Sequence, residues 1–187
     1  MRLAEIEQRF AERVSIEWKS FLLRPEPEHR DLAEFTAYTR KWERPASLEP
    51  ATSFVEWSGA NPPPTHSFPA ALAGKVAATF GRAEHRAFSS HLFAAYFTEN
   101  RTISNRDVLV EVAAEAGLGA DPFDQRWRER EEELTAQVWG DHLSATRSSI
   151  TGVPAVVVNR PWLIPGAVDT EQYAEIIQAA IEGREPR

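Results

Sequence analysis

Five histidines, scattered serines and acids, and no cysteine are what this 187-residue chain offers to chemistry. His29, His66, His85, His91 and His142 contain no pair at i, i+4, the spacing that would put two metal ligands on one helix face. His85 and His91 are six apart, on different faces of one predicted helix, and these histidines read as capping or surface groups. His66 beside Ser67 brings a serine triad to mind, but adjacent side chains rarely aim at one another. A glycine-rich phosphate loop, G-x-S-x-G, H-E-x-x-H and a calcium loop are all missing from the sequence. With no cysteine, the chain has no disulfide, thiolate metal site or cysteine nucleophile. No catalytic residue, metal or cofactor is assigned on these grounds.

The one arrangement with a chemical meaning is Gly152-Val153-Pro154, followed by the apolar run Ala155-Val156-Val157-Val158. Proline is tolerated at a strand entrance because no ladder donor is needed there. An X-Pro bond at such a place is either an ordinary trans bond or a cis bond locked by tertiary contacts. In the cis case the backbone of Val153 faces a neighbouring loop and can pair with an extended peptide, as a sheet edge does. Gly152, Val153 and Pro154 are therefore the candidate substrate-binding residues.

The elements that must position this segment follow from the pattern of apolar residues. Leu3, Ile6 and Phe10 predict an amphipathic helix over 3–12. Val14, Ile16 and Trp18 alternate with polar residues and predict a strand over 14–22, closed by Pro25 and Pro27. Residues 31–44 are weakly helical, and 45–69 read as loop, with Phe54, Trp57 and Phe68 packing down on the domain. Further helices are expected over 69–80, with an alanine-rich face, and over 83–97. Another, capped by Ser104, is expected to run to Ala116, and a long charged helix over 122–147. The continuous run over 154–159 predicts a strand buried on both faces. After a turn at Asn159-Arg160-Pro161, a short strand is expected over 162–165. A last helix, capped by Thr170, turns Tyr173, Ile176, Ile177 and Ala180 inward.

Composition sets the outer bounds. Apolar residues at 42% and charged residues at 26% are enough to build a core, so wholesale disorder is excluded, and the length fits one domain. No apolar run approaches the length of a membrane span, and the first residues carry no secretory pattern, so a cytoplasmic location is expected. A net charge of -7 and a pI near 5.3 argue against a nucleic-acid or anionic-membrane surface.

Four stretches together resemble one family. VSIEWKSFLLRPEP, PPPTHSFPAALAGKVAATFG, HLFAAYFTENRTISNRDVLVEVAAEAGL, and TGVPAVVVN followed by IPGAVDTEQY are similar to segments of the DsbA-type thioredoxin-fold oxidoreductases. The nearest likeness is to the cytoplasmic branch related to 2-hydroxychromene-2-carboxylate isomerases. The resemblance runs over residues 3–181 and implies an α/β fold. The expected architecture is a single domain over 1–187, a thioredoxin-like sheet with a large helical insertion over about 30–147. It also implies a cis-proline loop at Val153-Pro154 as the place where an extended peptide or thiol substrate binds.

The chain departs from that pattern at its start. Family members open with a strand ending in C-x-x-C at the first helix, where a low-pKa thiolate attacks a substrate disulfide. Here Met1 falls inside that helix, so the N-terminal central strand and both sulfurs are missing. Losing such a strand withdraws roughly 6 to 15 kcal/mol of gross apolar burial, comparable with the net stability of a domain. The sequence is therefore expected to be an N-terminally shortened version of a longer protein. The alternative is a cysteine-free relative that fills the gap differently, such as with a strand from a second chain, which leaves a homodimer open. The expected function is a thiol–disulfide oxidoreductase homologue, redox-inactive as given. A non-catalytic peptide-binding module and a glutathione-dependent isomerase relative are the alternatives.

Overall fold

Helices dominate the computed structural model, which describes residues 2–48, 53–159 and 162–185. In chain order they are α1 (Arg2–Phe10), α2 (Leu32–Thr39), α3 (Glu43–Leu48), α4 (Phe68–Ala78), α5 (Arg82–Phe97), α6 (Arg106–Glu115) and α7 (Ala120–Arg147). Strands β1 (Ala155–Val158) and β2 (Trp162–Pro165) follow, and α8 (Thr170–Ile181) closes the chain. Short 3-10 turns continue α1 over Ala11–Arg13 and join α2 to α3 over Arg40–Trp42. The chain divides into two compact units, one of Met1–Phe21 with Asp141–Arg187, the other of Leu22–Gly140.

The first unit holds the sheet. β1 and β2 pair antiparallel, with Val156 opposite Ile164, Val157 opposite Leu163 and Val158 opposite Trp162. One face of this ladder supplies Val156, Val158 and Ile164 to a core that also takes Ile6 and Phe10 from α1 and Tyr173, Ala174 and Ile177 from α8. Each large side chain buried there contributes about 1.5–3 kcal/mol of gross stabilisation. Polar contacts set the same register: Arg2 Nη1 donates to the Val168 carbonyl at 2.6 Å, and Arg9 pairs with Glu171 at 2.8 Å. Asp169, not Thr170, caps α8, forming a capping box with Gln172; the Thr170 hydroxyl instead donates to Glu5 at 3.1 Å.

Two expectations about strands are corrected here. Residues 14–22 form no helix and belong to no ladder, so the described sheet has two strands and not three. A strand needs a partner for its alternate N–H and C=O groups, and this segment finds a side chain: Ser20 N–H donates to Asp141 Oδ2 at 3.0 Å. Nor is β1 buried on both faces, since Val157 is 48% exposed. Only one face of a two-stranded ladder is covered by α1 and α8, so the apolar run reads as more buried than it is. The expected turn residues Arg160 and Pro161, and the loop residues 49–52, lie outside the described residues.

The second unit is helical. α4 presents Leu72, Ala73, Val76 and Ala77, whose small members allow α5 to approach closely. Phe88, Leu109, Val112, Phe123, Leu134 and Val138 complete that core from α5, α6 and α7. A separate aromatic cluster, Phe35, Trp42 and Trp57, packs with Phe54, Tyr96 and Phe97. So Phe54 and Trp57, read as packing residues within a loop, do pack. Asn105 caps α6 through its side chain, while Ser104 Oγ accepts from Thr65 N–H at 3.0 Å. The cap expected at Ser104 is thus displaced by one residue, and the serine ties the 61–67 loop instead.

Candidate functional site: the proline loop

The loop is aimed by the end of α7. Ile150 N–H donates to the Ala145 carbonyl and Ser149 N–H to that of Thr146, both at 3.0 Å, while Ser149 takes a left-handed φ of 59°. That pairing is a Schellman ending, with serine where glycine is commoner. It throws the chain out of the helix and into Thr151, Gly152 and Val153. Pro154 follows through a cis Val153–Pro154 peptide bond. The Pro154 carbonyl accepts from Gly166 N–H at 2.8 Å, which ties the loop to the end of β2. Gly166 has a φ of 78°, a conformation glycine adopts without a Cβ penalty.

Two properties make this segment available for binding. Val153 is 51% exposed and Pro154 is exposed beside it. Among the described residues, the backbone groups of Thr151, Gly152 and Val153 form no hydrogen bond. Immediately beside them lies an open concavity of about 290 Å³, bounded by the 149–155 segment and by Leu163, Pro165 and Gly166. The three residues singled out from sequence, Gly152, Val153 and Pro154, all line it. Its other walls were not legible, because the position of Ser149 and Ile150 depends on how α7 ends. That of Leu163 depends on hairpin register.

The remaining polar residues are dispersed. His66 Nδ1 lies 2.9 Å from Thr65 Oγ1, and His91 Nδ1 lies 3.0 Å from the Ala87 carbonyl. His142 packs edge-on against Phe21, with ring centroids 5.2 Å apart. His85 is pushed below its ordinary value, first by burial and then by the Lys75 charge. Burial likewise raises the Tyr96 phenol, with Arg30 opposing. Asn61, Thr65 and Ser67 are engaged in holding loops. Asn61 donates to the Asn100 carbonyl at 3.0 Å, and Ser67 Oγ accepts from Arg24 N–H at 3.1 Å. Among the described residues no three of His, Asp and Glu come together as a metal site. No described helix is long and apolar enough to cross a membrane.

Comparison with known proteins agrees with this architecture. A "putative protein disulfide isomerase" from Nitrosomonas europaea superposes with a TM-score of 0.72 at 11% identity, over 97% of this chain and 87% of that one. The cytosolic disulfide reductase DsbM from Pseudomonas aeruginosa gives a TM-score of 0.69 at 18% identity, with the same coverage of 97% and 87%. At such identities the likeness is one of fold. No curated protein matches the sequence. The family pattern for the DSBA-like thioredoxin domain matches residues 1–178. That match spans nearly the whole chain, both units included, and the chain belongs to the DSBA-like thioredoxin domain family.

Proposed function

We propose that these residues form the peptide-binding side of a DsbA-type thiol–disulfide oxidoreductase. The observation that carries this reading is the backbone of Thr151-Gly152-Val153, unpaired among the described residues, with Thr151 and Val153 exposed beside Pro154. An extended peptide laid against it gains main-chain hydrogen bonds, and the adjacent concavity receives a side chain. Family membership supports disulfide-bearing polypeptides as the substrate class. The redox step itself needs sulfurs that these residues do not contain. The proposal therefore includes a cysteine-bearing segment supplied from outside this sequence. A cytoplasmic setting, reducing in direction, is in keeping with the cytosolic reductase of similar fold. The absence of cysteine favours a second reading, a non-catalytic module that grips peptides without exchanging disulfides.

Two measurements separate these readings. Intact mass and thiol titration of the protein purified from its own cells should find a mass above 21.0 kDa and two titratable thiols. That longer form should reduce insulin, while the present chain should not. A thiol-free protein of 21.0 kDa would overturn the oxidoreductase and leave the binding module. For binding, an extended peptide should lose about two- to tenfold in affinity for each paired amide that is N-methylated. Unchanged affinity after N-methylation would overturn main-chain recognition in both readings.

A further inference from the structure

We infer that Arg30 and the rings around it bind a carboxylate carried on an aromatic or apolar body. The site belongs to the Leu22–Gly140 unit and does not rest on the peptide-binding reading above. The half-buried Arg30 guanidinium lies 3.9 Å from the centre of the Phe35 ring and 5.9 Å from that of Tyr38. Those two rings are themselves stacked, with centroids 6.0 Å apart. A guanidinium held on a ring face keeps its edge of N–H donors fixed in direction for a partner. Inside the protein that edge finds no acid. Arg30 Nη1 donates to the Pro64 carbonyl at a long 3.4 Å, and among the described residues no carboxylate pairs with Arg30. The acids nearest in sequence are engaged elsewhere. Asp31 Oδ1 accepts from Glu34 N–H at 3.0 Å to cap α2, and Glu28 pairs with Arg24 at 2.6 Å.

Charge and surface together define the ligand. A partly desolvated cation without a counter-charge is costly, and an incoming carboxylate removes that cost through bidentate, charge-assisted hydrogen bonds. Lys41 adds a second cation. Its Nζ also lies 5.9 Å from the Tyr38 centroid, and among the described residues no carboxylate pairs with it. The Tyr38 ring that both cations approach is 48% exposed, which leaves apolar surface for the body of a ligand. Tyr96 lies close enough to Arg30 for the guanidinium charge to act on its phenol, and the hydroxyl is a further donor beside the same edge. A free organic acid and the C-terminus of a peptide ending in an aromatic residue share this chemistry.

The test compares phenylacetate with phenylacetamide, and a short peptide ending in a free Phe carboxylate with its C-terminal amide, by ligand-observed NMR titration on the full chain. Each acid should bind about tenfold more tightly than its amide. The acid that binds more tightly identifies the source, and either order supports the site. Arg30→Gln should weaken acid binding about tenfold and leave the amides unchanged, and Lys41→Gln should weaken it about two- to threefold. Arg40→Gln, an exposed arginine paired with Glu56, should change nothing. Circular dichroism checks each fold. Should Arg30→Gln fail to fold, Arg30→Lys keeps the charge but loses the planar edge, and should still weaken acid binding. Equal affinity for acid and amide, or unchanged acid binding in the Arg30 variants, overturns the site. Tighter binding of inorganic phosphate than of either acid overturns the ligand class.

Discussion

Asn100 shows how much one residue can organise. It is 3% exposed, holds a left-handed φ of 54°, and directs its side chain to two strangers in sequence. Its Oδ1 accepts from Ser58 N–H at 2.7 Å, and its Nδ2 donates to the Val55 carbonyl at 3.3 Å. Its own carbonyl accepts from Asn61. The 53–61 segment, which carries the buried Trp57, is thereby fastened to the turn after α5. Replacing Asn100 with alanine removes both side-chain bonds, leaves Ser58 N–H without its acceptor and keeps the backbone in a region that favours asparagine or glycine. Asn100→Ala should cost about 2–4 kcal/mol in urea denaturation, and Asn100→Gly somewhat less because the backbone is then relieved. Equal losses for the two would show that the left-handed conformation contributes nothing. In the sequence, Asn100 is a residue type that tolerates this conformation. That gives no indication of the acceptor's distant partners, which only the packed loop defines.

Elements were legible wherever a single periodicity governs them. α4, α5, α6, α7 and α8 lie within a few residues of their expected spans, because apolar side chains at helical spacing and capping residues specify them locally. Residues 14–22 were misread for the opposite reason: alternation shows only that a segment is extended, and strand identity belongs to the partner. Val14 packs on the core of its unit, yet the backbone meets Asp141 in place of a neighbouring strand. The contact between α4 and α5 also carries a titration. His85 on α5 is half-buried, and burial together with Lys75 on α4 holds its pKa below 6.5. The unfolded chain therefore binds a proton more readily than the folded one around that pH. Stability from this group is fully present above pH 6.5 and is lost as the pH falls below it. Thermal unfolding should show Tm falling between pH 7 and pH 5, with a shallower fall in His85→Gln. Identical slopes in the two proteins would remove His85 as the cause.

At the scale of the molecule, two units share one chain but not one depth of burial. The larger, Leu22–Gly140, contains fully buried side chains from α4, α5, α6 and α7, among them Leu72, Val76, Phe88, Leu109 and Phe123. The unit with the sheet relies on a smaller set, Ile6, Phe10, Ile164, Tyr173, Ala174 and Ile177, and its ladder is half-covered. Opening free energy follows buried apolar contact and ladder protection, so the units should exchange amide hydrogens by different openings. Amides of β1, β2 and α8 are expected to exchange through a lower-energy opening than those of α4, α5 and α6. The proline loop belongs to the unit expected to open first, so a peptide bound there stabilises a region with something to gain. Native-state hydrogen exchange by mass spectrometry, with and without an extended peptide, can follow both. Protection should rise over β1, β2 and α8 and remain unchanged in α4–α6. A uniform rise in every element would mean that the chain opens as one cooperative body. A uniform exchange rate without peptide would mean that the thinner core of the sheet unit has no thermodynamic consequence.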